Sequence, residues 1–193
     1  MKKIQLWIIL IMIGLALTNC GNGPEKLSDE DFQEVKFNNE YSLKLPKYLK
    51  KTDSLQTDSS VTSQYKNLEK RVYVVVFGEN KGNNAEVIKE LKNYNEKLSV
   101  VQNYRDFRLK YLKDVVNVTK VHPAKSVKIN GMNAEIVAVD GVIDHQKTKG
   151  PIAYTIAFIE GKDKMYSVLT WTNLEKRPHY ENTFEKILMS FKQ

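Results

Sequence analysis

Three histidines, one cysteine and a few acidic residues beside one hairpin are the side chains that could do chemistry in this chain of 193 residues. Asp140, Asp144 and His145 lie close in sequence, a carboxylate and imidazole set that could hold a divalent cation if the fold brought them to one point. Strand alternation opposes this, since Asp140 and Asp144 would share a face and His145 would take the other; they are expected to be loop-facing polar residues. His122 precedes Pro123 at a strand terminus and His179 follows Pro178 in the first turn of a helix, and neither is placed as a general base. The chain has no Gly-x-Ser-x-Gly elbow and no Gly-rich phosphate loop, and no Ser or Cys stands in a pattern that pairs it with a His base. Two carboxylates facing across a cleft, the requirement of glycoside hydrolysis, are set by folding and not by spacing. Trp171, near a strand end, could line a ligand groove; core packing under the last helix is the preferred account. The expectation is no catalytic residue, no metal ligand, no cofactor, and a protein that is not an enzyme.

The remaining reactive side chain has a different use. Lys2 and Lys3 precede an apolar run from Ile4 to Leu17, broken only by Gln5 and Gly14, which ends in Leu17-Thr18-Asn19-Cys20. Charge, apolar stretch and small or polar residues in that order read as a secretory signal over residues 1–19. The run is shorter than the roughly 18–20 residues of a spanning helix. Cys20, the only Cys, excludes a disulfide framework and a thiolate-cage zinc site. Its position resembles the lipobox of bacterial lipoproteins: Leu17 matches the usual residue at −3, Thr18 is acceptable at −2, and Asn19 stands where Gly, Ala or Ser is usual. The resemblance implies cleavage before Cys20, a diacylglyceryl group on its sulfur and an acylated N-terminus. Cys20 is thus the expected lipid attachment site. The chain is then expected in a bacterial cell envelope, anchored to a membrane, the outer one before the inner.

Residues 20–35 are polar and acidic after Cys20, with Glu25, Asp29, Glu30, Asp31 and Glu34 against Lys26, and read as a solvated tether. The formal charge of the whole chain is +7; without the signal it is +5, and from Lys36 onward +9. An exported chain does not meet the chromosome, so nucleic acid is not an expected partner. The cations are scattered, densest at Lys44-Lys47-Lys50-Lys51, Lys66-Lys70-Arg71 and Arg105-Arg108-Lys110-Lys113, and read as a solvated surface before a lipid-binding one. The expected partners are the membrane, through Cys20, and an acidic envelope protein.

The elements that position these residues fall in residues 36–193, one domain by length. Tyr41 to Pro46 alternates apolar and polar, a half-buried strand ended by Pro46. Val72 to Phe77 is apolar throughout and predicts a central strand covered on both faces. Val87, Leu91, Tyr94, Leu98 and Val101 fall on one helical stripe that resumes at Tyr104, Phe107 and Tyr111; Asn83 and Glu86 suggest the N-cap pair, and a break is expected near Ser99–Asn103. Asn130-Gly131 predicts a type I′ hairpin turn, and a second hairpin joins Ile152–Ile159 to Met165–Trp171. Pro178 opens a last helix with Tyr180, Phe184, Ile187, Leu188 and Phe191 on one stripe.

This order predicts an α+β fold, an antiparallel β-sheet with covering helices. The Tyr-x-Leu-x-Leu-Pro strand, Gln64 to Asn67 feeding a long apolar strand, the Ile-Asn-Gly-Met hairpin and the closing helix from Phe184 to Lys192 resemble the PsbP-like α/β/α sandwich. That superfamily holds a photosystem II extrinsic subunit, a Ran-binding import factor and many small bacterial lipoproteins. The resemblance implies a domain that binds a protein or stabilises an assembly; a small-ligand or glycan-binding lipoprotein is the alternative.

Overall fold

The computed structural model describes residues 23–90, 94–145 and 148–193. Its spine is an antiparallel sheet in the order β3 (Lys50–Lys51), β4 (Val61–Asn67), β5 (Val72–Asn80), β10 (Lys164–Asn173), β9 (Thr148–Glu160), β8 (Met132–His145) and β6 (Asn117–Val121), with β7 (Lys125–Ile129) also paired to β8. Both anticipated hairpins form. Asn130 and Gly131 take φ of +47° and +87° between paired Ile129 and Met132, the geometry that selects Asn-Gly. Glu160 faces Met165 across the second turn.

One face of the sheet is covered by the hairpin of β1 (Phe32–Phe37) with β2 (Tyr41–Pro46) and by the last helix, α3 (Arg177–Met189). The anticipated stripe of α3 is buried at Tyr180, Phe184, Ile187 and Leu188, which pack with Leu43, Leu45, Val74, Val76 and Val168; Phe191, expected on the helix, follows its end at Met189 and is buried in the same cluster. Phe191 stacks on Tyr41 at 5.1 Å, and Lys192 exchanges backbone hydrogen bonds with Ser42. The other face carries α1 (Lys81–Glu90) and α2 (Val100–Val115), with Val101 and Tyr104 against Val139, Ile156 and Phe158. β5 is buried on both faces from Val74 to Phe77, while Tyr73 near its start is only half-buried, a departure from the expectation that the whole run is covered. The architecture is the anticipated α+β sandwich.

Three further details differ. First, the segment expected as a tether is built into the domain from Gly23 on, because Phe32 and Phe37 have a core to enter and Asn38-Asn39, both at positive φ, turn β1 onto β2. Second, α1 is capped by Asn80, whose side-chain oxygen accepts from the Gly82 and Asn83 amides, so Asn83 lies inside the helix. Ile88 is buried and Val87 exposed, the reverse of the expected stripe, and Leu91 lies outside the described residues. Third, Tyr111 is 56% exposed and does not continue the buried stripe.

The break between α1 and α2 falls earlier than Ser99–Asn103: residues 94–98 are not helical, which takes Tyr94 and Leu98 off the expected stripe, α2 starts at Val100, and buried Asn103 in its first turn braces the connection. Its side-chain amide donates to the carbonyls of Asn95, Leu98 and Ser99 while its oxygen accepts from the Asn95 amide. Ser99 and Gln102 then cap α2 reciprocally. Cys20 lies outside the described residues, and with it the expected lipid attachment.

Candidate functional site

The ionisable groups that the fold partly buries are held by one another. On the α2 side, the Tyr104 hydroxyl donates to Glu79 at 2.5 Å and accepts from Ser167 at 2.9 Å. Burial, then the Glu79 charge, pushes that phenol far above its ordinary value. Arg108 completes the group at 3.4 Å from Glu79 and lies over the Phe77 ring. Arg105 meets Glu135 at 2.7 Å, and Ser126 donates to the same carboxylate. At the sheet end bearing the β9–β10 turn, Lys81 and Asn133 hold Glu160. Burial alone would raise that carboxyl, but these two donors outweigh it and set it below its ordinary range.

The histidines separate. His122 Nε2 lies 3.0 Å from Asp140 and 3.2 Å from Arg177, and Arg177 also binds Asp140 directly. Burial first, then the Arg177 and Lys120 charges, lowers the His122 pKa. Thr172 Oγ1 and Arg177 Nε, also on the α3 side, are buried with no hydrogen-bond partner among the described residues. His179 docks the start of the described chain, its Nδ1 2.5 Å from the Gly23 carbonyl oxygen. Asp144 and His145 belong to β8, and their side chains lie outside the described residues; Asp140 is engaged by Arg177. Among the described residues no three His, Cys, Asp or Glu side chains are placed to hold a metal.

Trp171 departs from the preferred account. It lies on the α2 face and not under α3, because Trp171 pairs with Tyr73 and Tyr154 in a row of cross-strand neighbours. The Tyr73 and Trp171 rings are stacked at 5.0 Å, and Tyr154 tilts against Trp171 at 5.6 Å. α2 packs on β9, β8 and β6 and covers the Tyr154 end, whereas Tyr73 and Trp171 stay half-exposed. The row runs on through Lys66, which pairs with Tyr73, to Lys50, which pairs with Lys66. This lysine-flanked aromatic strip is a surface that register places and that sequence reading reached only as a lone Trp171. Two open depressions lie at the end of the sheet bearing the β9–β10 turn, of about 420 and 500 Å³, sharing Lys81 and Lys162 in their walls.

No family model matches the sequence, and no curated protein matches it. Solved structures do. Cyanobacterial PsbP (CyanoP) from Synechocystis sp. PCC 6803 aligns with a TM-score of 0.57 at 10% identity, over 91% of this chain and 98% of that one. The Ran-binding protein Mog1p of Saccharomyces cerevisiae aligns with a TM-score of 0.53 at 11% identity, over 83% and 94%. The chain has the PsbP-like fold.

Proposed function

We propose that this chain is a lipid-anchored bacterial cell-envelope protein, acylated at Cys20, whose domain works by binding an acidic partner protein and not by turnover. The observation that carries the binding reading is the half-exposed row of Tyr73 and Trp171 beside Lys66 and Lys50. Aromatic side chains with an apolar body and a polar edge suit a protein contact, and adjacent ammonium groups select negative charge. Two supports stand beside it. The partly buried carboxylates at Glu79, Glu135, Asp140 and Glu160 already have partners within the fold. A protein of the same fold is described as Ran-binding. The signal and Cys20 supply the address, and among the described residues no helix is long and apolar enough to cross a membrane.

The half-exposed Trp171 ring favours one second reading, a glycan stacked on the same strip. Cross-linked capture from envelopes with the full chain separates the readings. A protein partner should be retained at low salt, be lost as salt rises because exposed charges are screened beyond about 8 Å at physiological ionic strength, and be lost in Trp171→Ala and Lys66→Glu. Retention of a polysaccharide in place of a protein would favour the glycan. Turnover abolished by a single carboxylate substitution, in a broad hydrolase screen, would overturn the binding reading.

A further inference from the structure

The start of the described chain is pinned to one end of the sheet. Glu25, whose side chain is 6% exposed, accepts from Tyr48 at 3.0 Å, from Thr183 at 2.8 Å and from Lys70 at 3.1 Å. Its amide donates to the His179 carbonyl at 2.7 Å, and His179 in turn holds the Gly23 carbonyl. A carboxylate satisfied by three donors away from water is not released cheaply. The attachment therefore fixes where the chain leaves the domain: beside the start of α3 and the β4–β5 turn, where the Tyr180 hydroxyl also reaches the Lys70 carbonyl.

Cys20 is three residues before Gly23, and an extended chain advances at most about 3.6 Å per residue, so the two lie within roughly 11 Å of one another. The apolar run that precedes Cys20 ends no farther away than a few more residues. A leash this short holds the end of the sheet to which it is tied against the bilayer. The opposite end, bearing the β9–β10 turn, is eight residue steps along β5, about 26 Å farther out.

The near end has the composition for such a contact. Leu68, at the tip of the β4–β5 turn, is 65% exposed. Lys70 and Arg71 follow it in the turn, and Lys176 precedes α3. Glu69 and Glu175 are the acids of the same two segments. We propose that this end of the domain rests on the membrane, Leu68 at headgroup depth and the cations against anionic lipid. The orientation rests on the membrane address proposed above, and it holds whether the acyl group of Cys20 or the uncleaved apolar run is the anchor. It leaves both open depressions at the end with Lys162 facing away from the bilayer.

Full chain reconstituted into phosphatidylcholine vesicles, with and without a fifth of phosphatidylglycerol, tests this by flotation and by hydrogen exchange read by mass spectrometry. The reference is the double variant Leu68→Glu, Arg71→Glu in the same vesicles. Exchange at residues 67–71 should be several-fold slower in the unaltered chain, more so with phosphatidylglycerol, while residues 130–133 and 160–163 exchange alike in both proteins and report that the variant is folded. A chain that floats but shows no difference at 67–71, or slowing at both ends, overturns the orientation while leaving the address intact. A chain that does not float overturns both. Slowing that appears only when envelope protein is added gives this end to a protein partner and overturns the membrane contact. The mass of the N-terminal peptide reads the modification at Cys20 separately.

Discussion

At His122 the local charges set a pH dependence. The folded protein holds this imidazole below its ordinary pKa of 6.5, because burial and the Arg177 and Lys120 charges disfavour the cation. As pH falls through 6.5 the unfolded chain takes up the proton first, so stability declines from there down to the lower folded value and no further on this account. His122→Asn should flatten that part of the curve. Chemical denaturation of both proteins between pH 8 and pH 5 checks it; parallel curves would remove His122 as the cause. Residues were legible to different degrees. His179 was placed in its helix turn from Pro178 alone, but its contact with Gly23 joins positions 156 apart in sequence, and spacing cannot show that. The Asp140–Arg177 contact was hidden for the same reason.

Among the elements, α3 and the α1–α2 connection make opposite cases. The stripe of α3 is a sum of local spacing and burial, so it could be read directly, and Phe184→Ala should cost about 3–5 kcal/mol of unfolding free energy, measured by denaturant titration. The connection depends on one buried amide. Removing the Asn103 side chain strands three carbonyls and an amide, and Asn103→Ala should cost about 1–3 kcal/mol while leaving far-ultraviolet dichroism nearly unchanged. A loss under a few tenths would show that solvent replaces these bonds. The hairpins were legible because Asn130-Gly131 has one geometry in which it is favoured. β1 was not, because five acidic residues from Glu25 to Glu34 masked Phe32, Val35 and Phe37; the consecutive asparagines at 38 and 39 were the available sign of a turn. The strip at Trp171 needed strand order β4-β5-β10-β9, which no local pattern supplies.

For the molecule as a whole, the layer on the α3 face is assembled from both ends of the chain. β1 and β2 open the domain, α3 closes it, and Phe191, two residues before Gln193, is fully buried against Tyr41 and Tyr166. Gln193 adds a bond to the Lys162 amide. Deleting residues 191–193 should therefore destabilise the domain by at least the 3–5 kcal/mol of a lost core Phe, seen as a lowered melting temperature; an unchanged melt would mean that the closure is dispensable. The same closure bears on timing during synthesis. β1 and β2 are made before the segment from Tyr180 to Phe191 that packs on them, so this face of the sheet stays uncovered until that segment has left the ribosome. Until then Tyr41, Leu43 and Leu45 lack the side chains of Phe184, Ile187, Leu188 and Phe191 that bury them, and closure of the core waits on a contact between residues about 150 apart in sequence.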